Sequence, residues 1–319
     1  MAGHFRDLLS DPPRKPFPDR PQFSGFMKPC RFEGEVRNLE IVGSIPAELD
    51  GTFYRVMPDS QFPPFIEDDP VRLPRLPDPC AYCSRYTDAV EFKVRTTANT
   101  NVLYFNGSLL AMKEDAPPYR LDPDTLETLG LCDFDGQLPS CTFTAHPKLD
   151  PVLGELVCFG YEATGDGPPD VCYFTIGPDG AFLETVWLVA PVCGMIHDFA
   201  VTENWVLFPI IPQICDIQRL KAGGEHWQWD PNVPFYLGVL PRRGAKGRDV
   251  KWFRAPNAFP GHTTNAYETP EGRGARTPPR ELHVVDTRSF AEPVAVVKVP
   301  MRLRAGLHGN WVDGKELRS

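Results

Sequence analysis

Four histidines in the 319-residue chain carry the clearest chemical signal. They are His146 in TAHPKLDP, His197 in MIHDFAV, His262 in FPGHTTNAYE and His308 in GLHGNWV. Each falls where an apolar run begins or ends, and tens of residues separate one from the next. Neutral imidazoles suit Fe, Zn, Cu and Ni, and a site without thiolate or carboxylate ligands disfavours the softest and hardest ions. A lone buried histidine is more often a core residue with one hydrogen-bond partner. A metal therefore requires that all four rings meet. His4, in the N-terminal segment, and His226, in the polar GGEHWQW stretch, read as solvated, and His283 in ELHVVDT as a strand residue. Cys80-x-x-Cys83 resembles half of a zinc site, but no second pair follows at zinc-ribbon spacing.

No single helix or loop can gather residues so far apart, so the surrounding elements must do it. TNVLYFNGSLLAMKE, GELVCFGYEA, DVCYFTIGPDGAFLETVWLVA and NWVLFPII are short, rich in β-branched and aromatic residues, and bounded by turn formers. Asn106-Gly107 predicts a two-residue hairpin, because both positions tolerate positive φ. Gly177-Pro178-Asp179-Gly180 predicts a second turn. The best short helix candidate is QICDIQRLKAGGE. Residues 1–30 are proline-rich and read as an irregular arm, with residues 31–319 as one domain. The chain is expected to be all-β. Pattern alone leaves sandwich, barrel and propeller open, although a radially repeated propeller would offer an axis on which remote histidines could meet.

Composition narrows the function. There are 33 basic and 42 acidic residues, a net charge of −9, and no Lys or Arg run to follow a phosphate backbone, so nucleic acid is excluded as a partner. No apolar signal core and no stretch near the roughly 18 residues of a membrane helix occurs, which predicts a soluble, cytoplasmic protein. Nine cysteines without a regular framework fit reduced thiols.

Together, IPAELDGTFYRVMPDSQFPP, TANTNVLYFNGSLLAMKED, TAHPKLDPVLGEL, MIHDFAVTENWVLFP, GHTTNAYE and GLHGNWV resemble the carotenoid cleavage oxygenase family, in particular its lignostilbene dioxygenase-like, stilbene-cleaving branch. The resemblance runs in order from about Leu39 to Val312. It implies a seven-bladed β-propeller with Fe(2+) on its axis, held by His146, His197, His262 and His308 in turn. It also implies that Glu114 hydrogen-bonds a ligand ring, and that Lys113 and Tyr82 bind the substrate phenol. A regular strand would send Lys113 and Glu114 to opposite faces. With Asp115-Ala116-Pro117-Pro118 next, the strand is expected to end or bulge there.

The chain departs from the family pattern in two places. VRLPRLPDPC replaces a glycine-rich strand pair, and the pattern resumes near Tyr82. GHTTNAYE is followed almost at once by TPEGRGARTPPRELHVVDT, where family members have a long stretch supplying several blades and two further glutamate motifs. The sequence thus reads as an internally shortened member with an incomplete propeller. The implied reaction is Fe(2+)-dependent cleavage by O2 of the central C=C bond of a hydroxystilbene such as resveratrol, giving two aldehydes. The alternatives are a carotenoid or apocarotenoid cleavage dioxygenase and a catalytically inactive truncated member. The expected partners are O2 and a small hydrophobic conjugated substrate in an apolar tunnel, with peripheral membrane contact if that substrate is a carotenoid.

Overall fold

The computed structural model describes residues 17, 19–30, 34–57, 96–222, 224–263, 266–268, 295–298 and 306–318. Most of the N-terminal arm, Tyr82, the Cys80/Cys83 pair and His283 lie outside them. The described chain is all-β, with two short helices, α1 (Ile217–Lys221) and α2 (Gly314–Leu317). No described helix is long and apolar enough to cross a membrane.

Two antiparallel meanders follow one another. The first is β3 (Asn101–Phe105), β4 (Ser108–Met112), β5 (Tyr119–Leu121) and β6 (Thr128–Leu131), paired in that order. The second is β7 (Lys148–Leu149), β8 (Leu156–Tyr161), β9 (Asp170–Ile176) and β10 (Phe182–Val189). Asn106 (φ 48°) and Gly107 (φ 74°) make the predicted turn between β3 and β4, so that Phe105 pairs with Ser108. Between β9 and β10 the Gly177 N–H donates to Ala181 O at 2.8 Å, and Gly180 takes the left-handed φ of +83° that the tight turn requires. Every residue of β8 except its glycine is a large side chain or cysteine, and all six are buried, as a strand covered on both faces should be. The second half of β10 alternates buried with exposed, marking one solvated face.

A third sheet runs β11 (Gly194–Met195), β13 (Trp205–Cys215), β15 (Phe235–Pro241) and β16 (Lys251–Ala255), with β12 (Ala200–Val201) and β14 (Trp227–Trp229) also paired to β13. The predicted helix is confined to α1. Gln213 to Cys215 complete β13, and the Asp216 carboxylate then caps the helix by accepting from the N–H groups of Gln218 and Arg219. Two pairings join distant parts of the chain: β1 (Glu40–Gly43) with β17 (Ala295–Lys298), and β2 (Gly51–Arg55) with β18 (Gly309–Asp313). One core cluster lies between the second and third sheets and contains Phe159, Tyr173, Phe199, Phe208 and Leu240. Another, with Phe143, Phe174, Leu156 and Met112, joins the first two meanders. Each such side chain contributes about 1.5–3 kcal/mol when fully buried, so these sheets form the firm base on which the histidines are mounted.

Candidate metal centre

His146 ends the buried segment Phe143, Thr144, Ala145 and precedes β7. Its backbone N–H donates to Thr144 Oγ1 at 3.0 Å, and Asn101 Nδ2 ties Ala145 O to the start of β3 at 2.8 Å. His197 lies between β11 and β12, flanked by Ile196 (1% exposed) and Phe199 (0%). Those neighbours enter the core and anchor the segment, while the His197 side chain itself stays 25% exposed. His262 lies beyond β16, and His308 directly precedes β18. The β2–β18 ladder delivers His308: the Val56 N–H donates to His308 O at 3.0 Å, and the His308 N–H donates to Thr100 O at 3.3 Å.

The four rings converge. The His146 centroid is 4.6 Å from His197, 5.0 Å from His262 and 4.7 Å from His308, and His262 is 4.8 Å from His197 and 5.2 Å from His308. His146 Nε2 and His197 Nε2 face each other at 3.2 Å. Two neutral ring nitrogens both presenting lone pairs at that separation repel, whereas a cation between imidazoles satisfies every lone pair at once. Ligand atoms of His146, His262 and His308 lie within 4.8 Å of one another, as do those of Glu114, His146 and His197. The donor set fits a divalent transition metal.

Carboxylates brace this centre. Strand β4 ends at Met112, as expected, and Glu114 turns inward so that its Oε1 lies 2.5 Å from His197 Nδ1. With Nδ1–H donating to Glu114, the His197 Nε2 lone pair is aimed at the centre. Lys113 instead donates through Nζ to Asp115 Oδ2 at 2.9 Å. Asp198 is the functional residue that motif reasoning missed. Its Oδ1 accepts from Phe199 N at 2.8 Å and from Lys148 Nζ at 2.6 Å, and its Oδ2 accepts from Thr263 N at 2.8 Å. One buried carboxylate thereby clamps the segments that carry His146, His197 and His262. The sequence offered a faint signal, since Asp198 follows His197 and Lys148 stands two residues after His146.

The electrostatics favour neutral rings on three sides. Burial drives the His146 imidazole down to about 3, with the other three histidines adding to the effect and Asp198 opposing it. Burial followed by the nearby His197 also lowers His262 and His308. For His197 burial acts in the same direction, but the hydrogen bond and charge of Glu114, with Asp198, outweigh it and raise the pKa. Burial alone would raise Asp198, yet the Lys148 ammonium holds it below the ordinary carboxylate range.

One histidine expectation is corrected. His226 is not solvated: it is 2% exposed, and its Nε2 donates to Glu162 Oε2 at 2.7 Å. The polar letters around it misled, because Trp227 packs over its ring at 4.4 Å and closes the site. A cleft of about 550 Å³, lined by Lys148, Asp150, Pro151, Val201, Glu203 and Arg242 among others, contains none of the four histidines. That cleft is not the expected aromatic tunnel.

Comparison with known proteins agrees with the geometry. The profile of the retinal pigment epithelial membrane protein family matches residues 27–73, 70–278 and 273–313. The chain is 63% identical over 291 residues to resveratrol cleavage oxygenase 1 of Aspergillus fumigatus, covering 81% of this chain and 58% of that protein. It is 57% identical over 281 residues to carotenoid cleavage oxygenase 1 of Neurospora crassa, covering 78% and 53%. The crystal structure of Pseudomonas brassicacearum lignostilbene dioxygenase superposes with a TM-score of 0.73 at 43% identity, over 80% of this chain and 60% of that one. The chain thus spans between half and three fifths of the length of these relatives.

Proposed function

This chain belongs to the retinal pigment epithelial membrane protein family, and from that premise we propose that it is an Fe(2+)-dependent dioxygenase that cleaves the central C=C bond of a hydroxystilbene. The carrying observation is the convergence of His146, His197, His262 and His308, with Glu114 fixing the His197 ring. The reaction balances as one alkene plus O2 giving two aldehydes, one oxygen atom in each. In the same reading the three larger sheets are consecutive blades of a seven-bladed propeller of which this chain carries part. Residues 31–319 then form that partial domain, residues 1–30 its irregular arm, and the protein is cytoplasmic.

Ferrous iron, when bound, supplies the single-electron chemistry that lets ground-state dioxygen react with an alkene. The protein's own groups do the rest. Four neutral imidazoles hold the ion without cancelling its charge, and Glu114 keeps the proton of His197 on Nδ1, raising the ring's basicity. Lys113, just past the end of β4, is assigned to the substrate phenol together with Tyr82. An ammonium carries three donors, so Asp115 and a phenol oxygen can be bound together. Drawing the phenol toward phenolate pushes electron density along the conjugated system to the double bond.

A second reading is supported by the Neurospora crassa relative, a carotenoid cleavage oxygenase. A carotenoid has no phenol, so Lys113→Ala separates the two: turnover of a 4-hydroxystilbene falls, whereas turnover of a carotenoid is nearly unchanged. The test of the main reading begins with monodisperse protein purified anaerobically and reconstituted with Fe(2+). Iron stoichiometry and paired aldehydes from resveratrol are then measured on one sample. Iron retention near one per chain with aldehyde formation supports the proposal. Aldehyde formation undiminished by His197→Ala refutes it, and absence of iron after dialysis favours the inactive truncated member.

A further inference from the structure

A second convergence of ligating side chains lies beneath the third sheet. Glu162 directly follows β8 and takes a left-handed backbone (φ 49°) that a non-glycine residue rarely adopts. That turn points its carboxylate inward, where the side chain is 7% exposed. Oε1 accepts from Gly167 N at 2.7 Å and lies 3.5 Å from Cys193 Sγ, while Oε2 accepts from His226 Nε2 at 2.7 Å. Cys193 precedes β11 and Cys215 ends β13, and the Cys215 N–H donates to Cys193 O at 3.0 Å, which holds the two cysteines side by side. Arg219 fixes the rim by donating to Ile214 O at 2.6 Å and to His226 O at 3.1 Å. Ligand atoms of Glu162, Cys193 and Cys215 lie within 4.8 Å of one another.

The simpler account is a buried Glu162–His226 ion pair with the Cys193 thiol donating to Glu162 Oε1 at 3.5 Å. The same arrangement also fits an ion. A tetrahedral ion with metal–sulfur bonds of about 2.3 Å and metal–oxygen bonds of about 2.0 Å separates sulfur from oxygen by about 3.5 Å, which is the spacing of Cys193 Sγ and Glu162 Oε1. The three donors come from three separate elements, so no local turn brings them together. A narrow crevice lined by Glu162, Pro168, Val192, Cys193, Gly194 and Ile196 reaches two of the three donors.

We propose that Cys193, Cys215 and Glu162 form a second metal site for a borderline-soft divalent cation of the zinc class, with His226 as the residue that positions the carboxylate. On binding, the ion displaces the two thiol protons to solvent and a water completes the tetrahedron. His226 keeps Nε2–H on Glu162 Oε2, the carboxylate–imidazole support common around bound metals. The site is independent of the histidine centre, whose ligands include no sulfur.

Cobalt distinguishes the two, because only thiolate ligands give an intense near-ultraviolet sulfur-to-cobalt charge-transfer band. Full-length reduced protein, freed of metal by a chelator, is titrated with Co(2+). The band is expected in the wild type and in His197→Ala, is lost in Cys193→Ser, and is bleached by added Zn(2+). His226→Leu should weaken Co(2+) binding about 10- to 100-fold without moving the band, and His226→Gln, which keeps a donor, should recover part of that loss. A folding failure of Cys215→Ser is covered by a second readout. Zn(2+) is expected to slow iodoacetamide alkylation of Cys193 in the wild type by at least about tenfold. No band in folded wild-type protein, a band that survives Cys193→Ser, or alkylation indifferent to Zn(2+) overturns the proposal.

Discussion

The two halves of the histidine centre are built differently. His146 is 7% exposed and the His197 side chain 25%, between core residues Ile196 and Phe199, whereas the His262 side chain is 51% exposed. Around the second pair even the large apolar neighbours are open to solvent: Phe259 is 55% exposed and Leu307 53%. Glu114 holds the His197 ring, but among the described residues no carboxylate hydrogen-bonds the ring of His262 or His308. The first pair is therefore placed chiefly by packing, and the second by the Thr263 N–H on the Asp198 carboxylate and the Val56 N–H on His308 O. An ion bound here would be held by two well-packed rings and two more open ones.

Ligand deletion tests that asymmetry most directly. His197→Ala removes a fixed ligand and leaves Glu114 without its partner, so Fe(2+) affinity should fall more than about 100-fold, beyond the loss typical of an outer-shell change. Turnover should vanish with it. His308→Ala is expected to cost about tenfold in affinity, because water can replace a half-buried ring that no described carboxylate holds. Iron content by mass spectrometry after graded dialysis reads both. Equal losses would break the comparison.

The braces come next. Glu114→Gln should weaken iron binding about 10- to 100-fold through the His197 side alone. Asp198→Asn should act chiefly on the other side, because the amide oxygen can still accept from Phe199 N and Lys148 Nζ, whereas an NH2 in place of Oδ2 loses the Thr263 N bond beside His262. A loss of about tenfold, with His262 more reactive toward diethyl pyrocarbonate and His146 unchanged, would sharpen the division. Lys113→Ala should raise KM for a hydroxystilbene about tenfold, the worth of one charge-assisted hydrogen bond of about 1.5 kcal/mol, and leave iron content as it was.

How much of this was legible in the sequence follows the same division. Strand character, both hairpin turns and the end of β4 before Lys113 could be read, because each depends on local backbone preference at Asn106, Gly180 or Pro117. The family motifs singled out the four histidines and Glu114, which the fold gathers. Asp198 escaped because its three partners are Phe199, Lys148 and Thr263, a set that only tertiary structure assembles. His226 was misread for a related reason. The residues before it are small or polar, and what buries it is the remote Glu162 together with the adjacent Trp227 folded over its ring. Spacing along the chain predicts what a turn or strand will do, but not which remote carboxylate a buried imidazole will meet.

The smallest expected effect isolates the packing that supports the first pair. Asp150, four residues after His146, receives Arg242 Nη2 at 2.5 Å and so ties the end of β7 to the end of β15. Its Oδ1 also accepts from Val152 N at 2.9 Å and Leu153 N at 3.0 Å. The Leu153 bond first and Arg242 second hold its carboxyl down to about 2, against an ordinary 3.8. A lowered folded pKa stabilises above the unfolded value, so this contribution is complete above about pH 4 and is lost as pH falls toward 2. Asp150→Asn leaves Arg242 with Glu155 at 3.8 Å, so the cost should be about 1–2 kcal/mol rather than the 3–5 kcal/mol of an orphaned buried charge. Thermal unfolding at pH 7 should drop by a few degrees, with the gap from wild type closing as both are acidified through pH 4 to 2. Iron content at pH 7 should not change. If it fell along with the melting temperature, the first pair would depend on this distant tie, and packing around Ile196 and Phe199 would not be sufficient to place it.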